Sequence, residues 1–189
     1  MKKFVVYNDI HIGAPHTTGH TLKDFLKDKE NPDVIVILNG DISDPINTKK
    51  KKLPGVLEDL EKTIKAFGKN YVLGNHEGRK PELYYRKIGN VLFFHGHTIF
   101  WKWKTVLKWE IKKLGRGVIF YFFYRLRHIV GRSGGELKLK DKYLKMIQEI
   151  LVERGCDTAV FGHTHKYYDK IHNGLRIVNF GQGRHEFEA

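Results

Sequence analysis

The stretch TAVFGHTH (residues 158–165) joins a short apolar run to a polar ending that contains two histidines one residue apart. Four other segments repeat this pattern, namely FVVYNDIH (4–11), DVIVILNGDISD (33–44), NYVLGNHE (70–77) and VLFFHGH (91–97). Each apolar run is short, rich in β-branched or aromatic residues and bounded by residues that break regular structure, which is typical of buried strands. The pattern predicts five strands whose C-terminal ends carry polar side chains.

Helical segments are predicted between these strands. Residues 21–30, 53–68 and 141–155 place their apolar residues on one face of a helix. The alternation of strands and helices favours an α/β fold in which the C-terminal ends of the strands meet at one edge. Beyond the last motif, KYYDKIHNGLRIVNFGQ (166–182) reads as two strands joined at an Asn-Gly pair, the usual signal of a β-hairpin.

Length and charge limit the classes of protein to consider. A chain of 189 residues fits one domain, residues 1–189, with room for an insertion. The start MKKFVVYNDI has too few apolar residues for a signal peptide, and no run approaches the ~20 apolar residues of a membrane span, so we expect a cytoplasmic protein. The net charge of +13 favours an acidic partner, such as a phosphorylated ligand, nucleic acid or an anionic membrane.

One region departs from the strand and helix pattern. Residues 99–135 hold all three tryptophans and nine lysines and arginines but a single acidic residue, Glu110. The region resembles an insertion between a strand and the next helix, and its candidate substrate contacts are Trp101, Trp103, Arg125 and Arg127. Interleaved aromatic and basic residues suit a lid over the substrate, a peripheral membrane or lipid contact, or a packing or oligomer surface. These three alternatives stay open.

The polar residues at the strand ends suit a metal centre. They are Asp9, His11, Asp41, Asp44, Asn75, His76, His95, His163 and His165. Carboxylates and neutral imidazoles without thiolates favour a divalent ion such as Mn²⁺, Fe²⁺, Co²⁺ or catalytic Zn²⁺ over a structural zinc site. Because one ion needs fewer ligands than this, the set suggests two ions about 3.5–4 Å apart, an arrangement that serves phosphoryl chemistry.

The motifs DIH (9–11), GDISD (40–44), GNHE (74–77), HGH (95–97) and GHTH (162–165) resemble, in content and order, those of the calcineurin-like metallophosphoesterases. The resemblance implies a four-layer αββα sandwich with a dinuclear metal site on one sheet edge. It further implies that one ion takes Asp9, His11 and His165, that the other takes Asn75, His95 and His163, and that Asp41 bridges the two. His76 then lies near the substrate and is oriented by Asp44.

The expected function is hydrolysis of a phosphodiester or pyrophosphate bond by a metal-activated hydroxide, with two divalent ions as cofactors. Mn²⁺ is the ion expected first, with Fe²⁺, Co²⁺, Ni²⁺ and Zn²⁺ as alternatives. His76, as an imidazolium, stabilises developing negative charge or protonates the leaving oxygen, and His97 is a candidate phosphate contact.

The identity of the substrate stays open. The position of the insertion directly after the HGH strand resembles the UDP-2,3-diacylglucosamine pyrophosphatase branch, which implies a lipid-linked nucleotide. A nuclease or nucleotide phosphodiesterase is the main alternative, and a non-catalytic scaffold of the same fold is the third.

Overall fold

The computed structural model describes residues 2–14, 17–44, 56–77, 81–100 and 139–189. The strands in these ranges are β1 (Lys3–Asn8), β2 (Val34–Asn39), β3 (Tyr71–Val72), β4 (Tyr85–Ile88), β5 (Val91–Phe94), β6 (Thr158–Phe161), β7 (Tyr167–His172), β8 (Leu175–Phe180) and β9 (Gly183–Glu188). The α-helices in the same ranges are α1 (Leu22–Lys29), α2 (Val56–Phe67), α3 (His97–Phe100) and α4 (Asp141–Glu153). Residues 101–135 of the predicted insertion lie outside the described residues.

The strands form two sheets. The first sheet has the order β3-β2-β1-β9, and the second has the order β4-β5-β6-β8-β7. In the first sheet β1, β2 and β3 are parallel, while β9 runs antiparallel to β1. In the second sheet β5, β6 and β8 are parallel, and the edge strands β4 and β7 are antiparallel to their neighbours. Each sheet therefore has a parallel centre whose strands end at the same edge.

Successive side chains of a strand pack into apolar clusters on opposite faces of its sheet. In β1, Val5 and Tyr7 belong to an apolar cluster that includes Phe25 of α1, whereas Phe4 and Val6 belong to a cluster between the two sheets. This alternation is the one expected when successive side chains point to opposite faces of a sheet. Burying a large apolar side chain in this way contributes roughly 1.5–3 kcal/mol.

Three apolar clusters separate four layers. The first lies between the first sheet and the helices α1 and α2, and the second lies between the second sheet and α4. The third joins the inner faces of the two sheets, with Phe4, Val6, Ile37 and Val72 on one side and Val91, Phe93, Val160 and Val178 on the other. The order is helix, sheet, sheet, helix, which confirms the predicted αββα sandwich.

Most predicted elements are present. The three predicted helices appear with slightly shorter bounds, and β7 and β8 form the predicted hairpin, in which Asn173 and Gly174 have φ values of 50° and 78°. The sequence pattern missed β4 and β9. Both lie at the edge of a sheet and carry several exposed or half-exposed polar residues, so neither has the continuous apolar run of a buried strand.

Within the described ranges, no helix is long and apolar enough to cross a membrane.

A cluster of polar side chains ties α1 to the first sheet. The hydroxyl of Tyr7 donates to Asp28 Oδ2 at 2.6 Å, and Arg184 Nε of β9 donates to the same oxygen at 2.7 Å. Burial alone would raise the pKa of Asp28, but the hydrogen bonds from Arg184 and Tyr7 outweigh it and hold the pKa below its usual value. Asp28 therefore contributes to stability as a carboxylate.

We expect Asp28→Asn to lower the free energy of unfolding by about 1–2 kcal/mol at pH 7, because a partly buried carboxylate with two donors is replaced by a neutral amide. The folded-state pKa of Asp28 is lowered, so its contribution is present at neutral pH and is lost as the pH falls from about 4 through the pKa of the folded state. Urea unfolding at pH 7 and pH 3 measures this difference.

The control is Glu186→Gln, which removes an exposed partner of Arg184, 3.1 Å away. That change should alter stability by less than about 0.5 kcal/mol. A difference between the wild type and Asp28→Asn that is equal at both pH values would contradict the assignment.

Candidate metal centre

The predicted site residues lie at the C-terminal ends of the parallel strands of both sheets. Asp9 and Asp41 follow β1 and β2, His95 follows β5, and His163 follows β6. The loops after β1 and β2 continue to pair beyond the strands, since the backbone N–H of His11 donates to the carbonyl of Asp41 at 2.9 Å. The parallel topology thus brings side chains that are distant in sequence to one edge of the sandwich.

The backbone at this edge has an unusual conformation. Among the described residues, six that are not glycine have positive φ, and one of these is Asn173 in the hairpin. The other five are all predicted metal ligands: Asp9 (49°), His11 (56°), Asp41 (48°), His163 (74°) and His165 (56°). A left-handed backbone costs of order 1–3 kcal/mol at a residue with a side chain and is concentrated at functional sites in proteins. Its coincidence with the motif residues indicates that the turns serve to aim these side chains.

One group of potential ligands consists of Asp9, His11 and His165, whose donor atoms all lie within 4.8 Å of one another. His165 Nε2 is 3.4 Å from Asp9 Oδ1 and 3.3 Å from His11 Nε2. The other carboxylate oxygen, Asp9 Oδ2, accepts the backbone N–H of His163 at 2.8 Å. One oxygen of Asp9 is therefore held by the backbone while the other faces the imidazole of His165.

A second group consists of Asp41, His95 and His163, again with donor atoms within 4.8 Å of one another. Asp41 repeats the arrangement of Asp9: its Oδ1 accepts the backbone N–H of His76 at 2.9 Å, and its Oδ2 is 3.4 Å from His95 Nε2. The motif residue next to His76 is Asn75, and no described group donates a hydrogen bond to its buried Oδ1. An amide oxygen of this kind is a suitable metal ligand.

His95 connects the two groups. Its Nε2 lies 3.0 Å from Asp9 Oδ1 and 3.4 Å from Asp41 Oδ2, and its side chain is fully buried. A third group, His11, Asp44 and His76, lies beside them, with His76 Nδ1 at 3.3 Å from Asp44 Oδ2. All eight side chains in these three groups and Asn75 were predicted as site residues from the sequence.

The protonation states of Asp9, Asp41 and His163 favour a cation. Burial opposes ionisation of Asp9 and Asp41, but nearby histidines, chiefly His95, outweigh burial and hold the pKa of each carboxyl well below its usual value. Burial and the neighbouring charge of His95 lower the pKa of His163 to about 3. Ionised carboxylates and a neutral imidazole are the forms that coordinate metal ions.

The donor set fits a divalent ion. The groups contain carboxylate oxygens and imidazole nitrogens, and the chain's one cysteine, Cys156, lies in the core on the helix side of the second sheet. Such a mixture of oxygen and nitrogen donors suits Mn²⁺, Fe²⁺, Co²⁺, Ni²⁺ or Zn²⁺ rather than Ca²⁺ or a structural thiolate zinc. The buried Oδ1 of Asn75 adds a further potential ligand.

Three motif glycines make room for ligand side chains from other motifs. A Cβ at Gly40 would lie 2.5 Å from the ring of His95, one at Gly74 would lie 2.0 Å from Asp41 Oδ1, and one at Gly162 would lie 2.5 Å from Asp9 Oδ2. Contacts this short do not occur between real side chains, so another residue at any of these positions would displace a carboxylate or an imidazole. The glycines are thus part of the site's geometry.

Glu77, which the sequence did not assign to the site, connects two of the loops. Its Oε1 accepts hydrogen bonds from the backbone N–H groups of Ile42 (2.6 Å) and Ser43 (2.9 Å) and from the hydroxyl of Tyr71 (2.6 Å). Its Oε2 accepts the backbone N–H of Gly74 at 3.1 Å. The side chain therefore joins the loop after β2 to the loop after β3. Its position directly after the GNH motif was the only signal in the sequence.

The loop that carries His163 and His165 has a support of its own. Asn179 of β8 is fully buried, and its amide donates to the carbonyl of Gly162 and to the hydroxyl of Thr164, both at 2.9 Å. Gln182 donates to the carbonyl of Asp9 at 3.2 Å. Asn179 and Gln182 thus hold the backbone beside the ligands.

Of the five residues predicted to contact the substrate, His97 alone lies in the part of the chain that the structure describes. His97 is 4% exposed and lies against His95 and Tyr84, within the wall of the site. The other four, Trp101, Trp103, Arg125 and Arg127, lie outside the described residues.

Comparison with known proteins identifies one family and several solved structures of limited similarity. The family described as calcineurin-like phosphoesterase matches residues 2–167. Vacuolar Protein Sorting 29 from Cryptosporidium parvum is 18% identical, with a TM-score of 0.48, over 96% of this chain and 74% of that chain. A predicted phosphoesterase from Streptococcus pneumoniae is 14% identical, with a TM-score of 0.48, over 99% and 83% of the two chains. Zinc-complexed Vacuolar Protein Sorting 29 from Entamoeba histolytica is 20% identical, with a TM-score of 0.46, over 95% and 74%. No curated protein matches the chain.

We expect Gly162→Ala to weaken Mn²⁺ binding by at least about tenfold, because the new Cβ would displace the Asp9 carboxylate from its hydrogen bond with the backbone of His163. Isothermal titration with Mn²⁺ measures the affinity, and thermal unfolding in EDTA measures stability without metal.

Gly174→Ala is the matched control. Gly174 has a φ of +78° and nothing within 4 Å of an added Cβ, so alanine there strains the hairpin but touches no ligand. This variant should lose stability and keep the wild-type affinity for Mn²⁺. Unchanged binding by Gly162→Ala, or the same loss in both variants, would refute the steric argument.

Proposed function

Because this chain belongs to the calcineurin-like phosphoesterase family, we propose that it is a metal-dependent phosphoesterase that hydrolyses a phosphodiester or pyrophosphate bond. The site would hold two divalent ions, with Mn²⁺ the first candidate. Asp9, His11 and His165 would bind one ion, Asn75, His95 and His163 would bind the other, and Asp41 would bridge them.

The contact of His95 with both carboxylates is the observation that carries this proposal. His95 Nε2 lies within 3.4 Å of both Asp9 Oδ1 and Asp41 Oδ2, so the two donor groups are adjacent and both contact His95. The carboxylates come from one sheet and His95 from the other, so the edge between the sheets supports ligands from two sides. Adjacent donor groups favour a pair of neighbouring ions over two independent metal sites.

Two such ions, held by these residues, would supply a water of lowered pKa (from 15.7 toward ~7) and positive charge beside the attacking and leaving oxygens. The chain's own residues supply the geometry. Each carboxylate has one oxygen fixed by a backbone N–H group, at 2.8 Å for Asp9 and 2.9 Å for Asp41. The ligands are therefore oriented by the fold before any ion or substrate binds.

His76 is suited to act on the substrate. Its side chain is 14% exposed, more than Asp41 or Asp44, and its ring nitrogens face Asp44 at 3.3 Å and Asp41 at 3.7 Å. The ring is therefore partly exposed and has two carboxylate neighbours. As an imidazolium, His76 would stabilise negative charge on the phosphoryl oxygens or donate a proton to the leaving oxygen.

We propose a nucleotidic or lipid-linked nucleotide substrate, for which the net charge of +13 is favourable. Nucleic acid is a further candidate substrate. Residues 99–135 are the proposed lid or peripheral membrane contact. The proposed localisation is cytoplasmic.

The experiment that tests the proposed function is hydrolysis of bis-p-nitrophenyl phosphate with and without Mn²⁺. We expect the wild type to require Mn²⁺. Asp41→Asn should lose both metal and activity, because the amide removes the negative charge between the ions. His76→Ala should keep its metal content and lose activity by about 10²–10⁴-fold, the usual contribution of a positioned acid or base.

Metal content is measured by elemental analysis after dialysis against Mn²⁺. Stoichiometric binding without turnover of any phosphoester would favour the scaffold alternative over an enzyme. Loss of metal from His76→Ala as severe as that from Asp41→Asn would show that His76 is a ligand and that its proposed role is wrong.

A further inference from the structure

The two histidines of the HGH motif face each other through the same ring atom. His95 Nδ1 lies 3.1 Å from His97 Nδ1, and the two residues are 1% and 4% exposed. Gly96 between them has a φ of 94°, so the chain turns sharply after β5 and enters α3 at His97. This turn places the second imidazole against the first.

A contact of 3.1 Å between two imidazole nitrogens requires a proton on one of them. The other ring nitrogen of His95, Nε2, is the atom that faces Asp9 and Asp41. A nitrogen that coordinates a metal ion must present a lone pair, so the proton of a neutral His95 resides on Nδ1. With an ion bound, the Nδ1–H of His95 would therefore donate to Nδ1 of His97, and a neutral His97 would carry its own proton on Nε2.

The surroundings hold His97 in this position. Its ring lies edge-on to Tyr84, with 5.0 Å between ring centroids. The helix α3 that begins at His97 is anchored by the buried Ile99, whose backbone N–H donates to the carbonyl of Gly96 at 2.9 Å. A side chain that is packed on several sides and nearly inaccessible is better placed to support a neighbour than to contact substrate.

We propose that His97 is a positioning residue for the metal centre: it accepts a hydrogen bond from His95 and fixes the ring and tautomer that direct His95 Nε2 toward the two carboxylates. The inference rests on the proposed metal centre, and it replaces the sequence-based expectation that His97 contacts the phosphate. Outer partners of this kind typically change metal affinity by 10–100-fold when they are removed.

Two substitutions separate the hydrogen bond from packing. His97→Leu fills the site but removes the acceptor, and we expect it to weaken Mn²⁺ binding about 10–100-fold. His97→Asn places an amide oxygen near the position of Nδ1, and we expect its affinity to stay within about threefold of the wild type. Isothermal titration with Mn²⁺ measures the affinity, and thermal unfolding in EDTA verifies that both variants fold.

A measurement on the wild type covers the case in which a variant fails to fold. In the Zn²⁺-loaded protein labelled with ¹⁵N, long-range proton–nitrogen correlation spectra report which ring nitrogen of each histidine carries the proton. We expect His95 to show Nδ1–H and His97 to show Nε2–H. A proton on Nδ1 of His97 in the loaded protein would overturn the proposal.

Failure of the proposed function is distinguishable from failure of this inference. A wild type that binds neither Mn²⁺ nor Zn²⁺ would overturn the metal centre itself. A wild type that binds metal, with His97→Leu equal to it in affinity, would overturn the role of His97 alone. If His97→Leu instead kept its affinity and raised only the KM for bis-p-nitrophenyl phosphate, His97 would be a substrate contact.

Discussion

The burial of two ionised carboxylates, Asp9 and Asp41, at the edge between the sheets is the constraint on which the rest of the site depends. Both side chains are almost inaccessible, and an uncompensated buried charge costs several kcal/mol. The fold compensates with backbone N–H groups from the loops after β3 and β6 and with imidazoles from the second sheet. Because histidines can ligate as well as neutralise, the arrangement that stabilises the carboxylates also prepares them to bind divalent cations.

The same constraint explains why the motifs support one another. Each of three motif glycines leaves space for a ligand that belongs to a different motif, and Glu77 joins the loops that follow β2 and β3. Left-handed backbone at five predicted ligands is stable only when the surrounding loops determine it. A change in one motif therefore disturbs the residues of another, which is why the ordered set carries more information than any single motif.

The apolar patterns predicted the buried strands, the helices and the hairpin, because these elements alternate or repeat in a way that a sequence displays directly. The edge strands β4 and β9 lack such a pattern and were missed. The site residues were recognised through their position after strands and through resemblance to a family. The roles of Glu77, Asn179 and His97 depend on where loops turn in space, and spacing along the chain does not report that direction. Ligand roles and substrate stay predictions, and most of the 99–135 region lies outside the described residues.

The most direct test of the account is the position of bound metal. Crystals grown with Mn²⁺, measured on both sides of the manganese absorption edge, would locate the ions by anomalous scattering. The account predicts two manganese peaks about 3.5–4 Å apart, one beside Asp9, His11 and His165 and the other beside Asp41, His95 and His163. A single peak, or peaks away from these two groups, would contradict it.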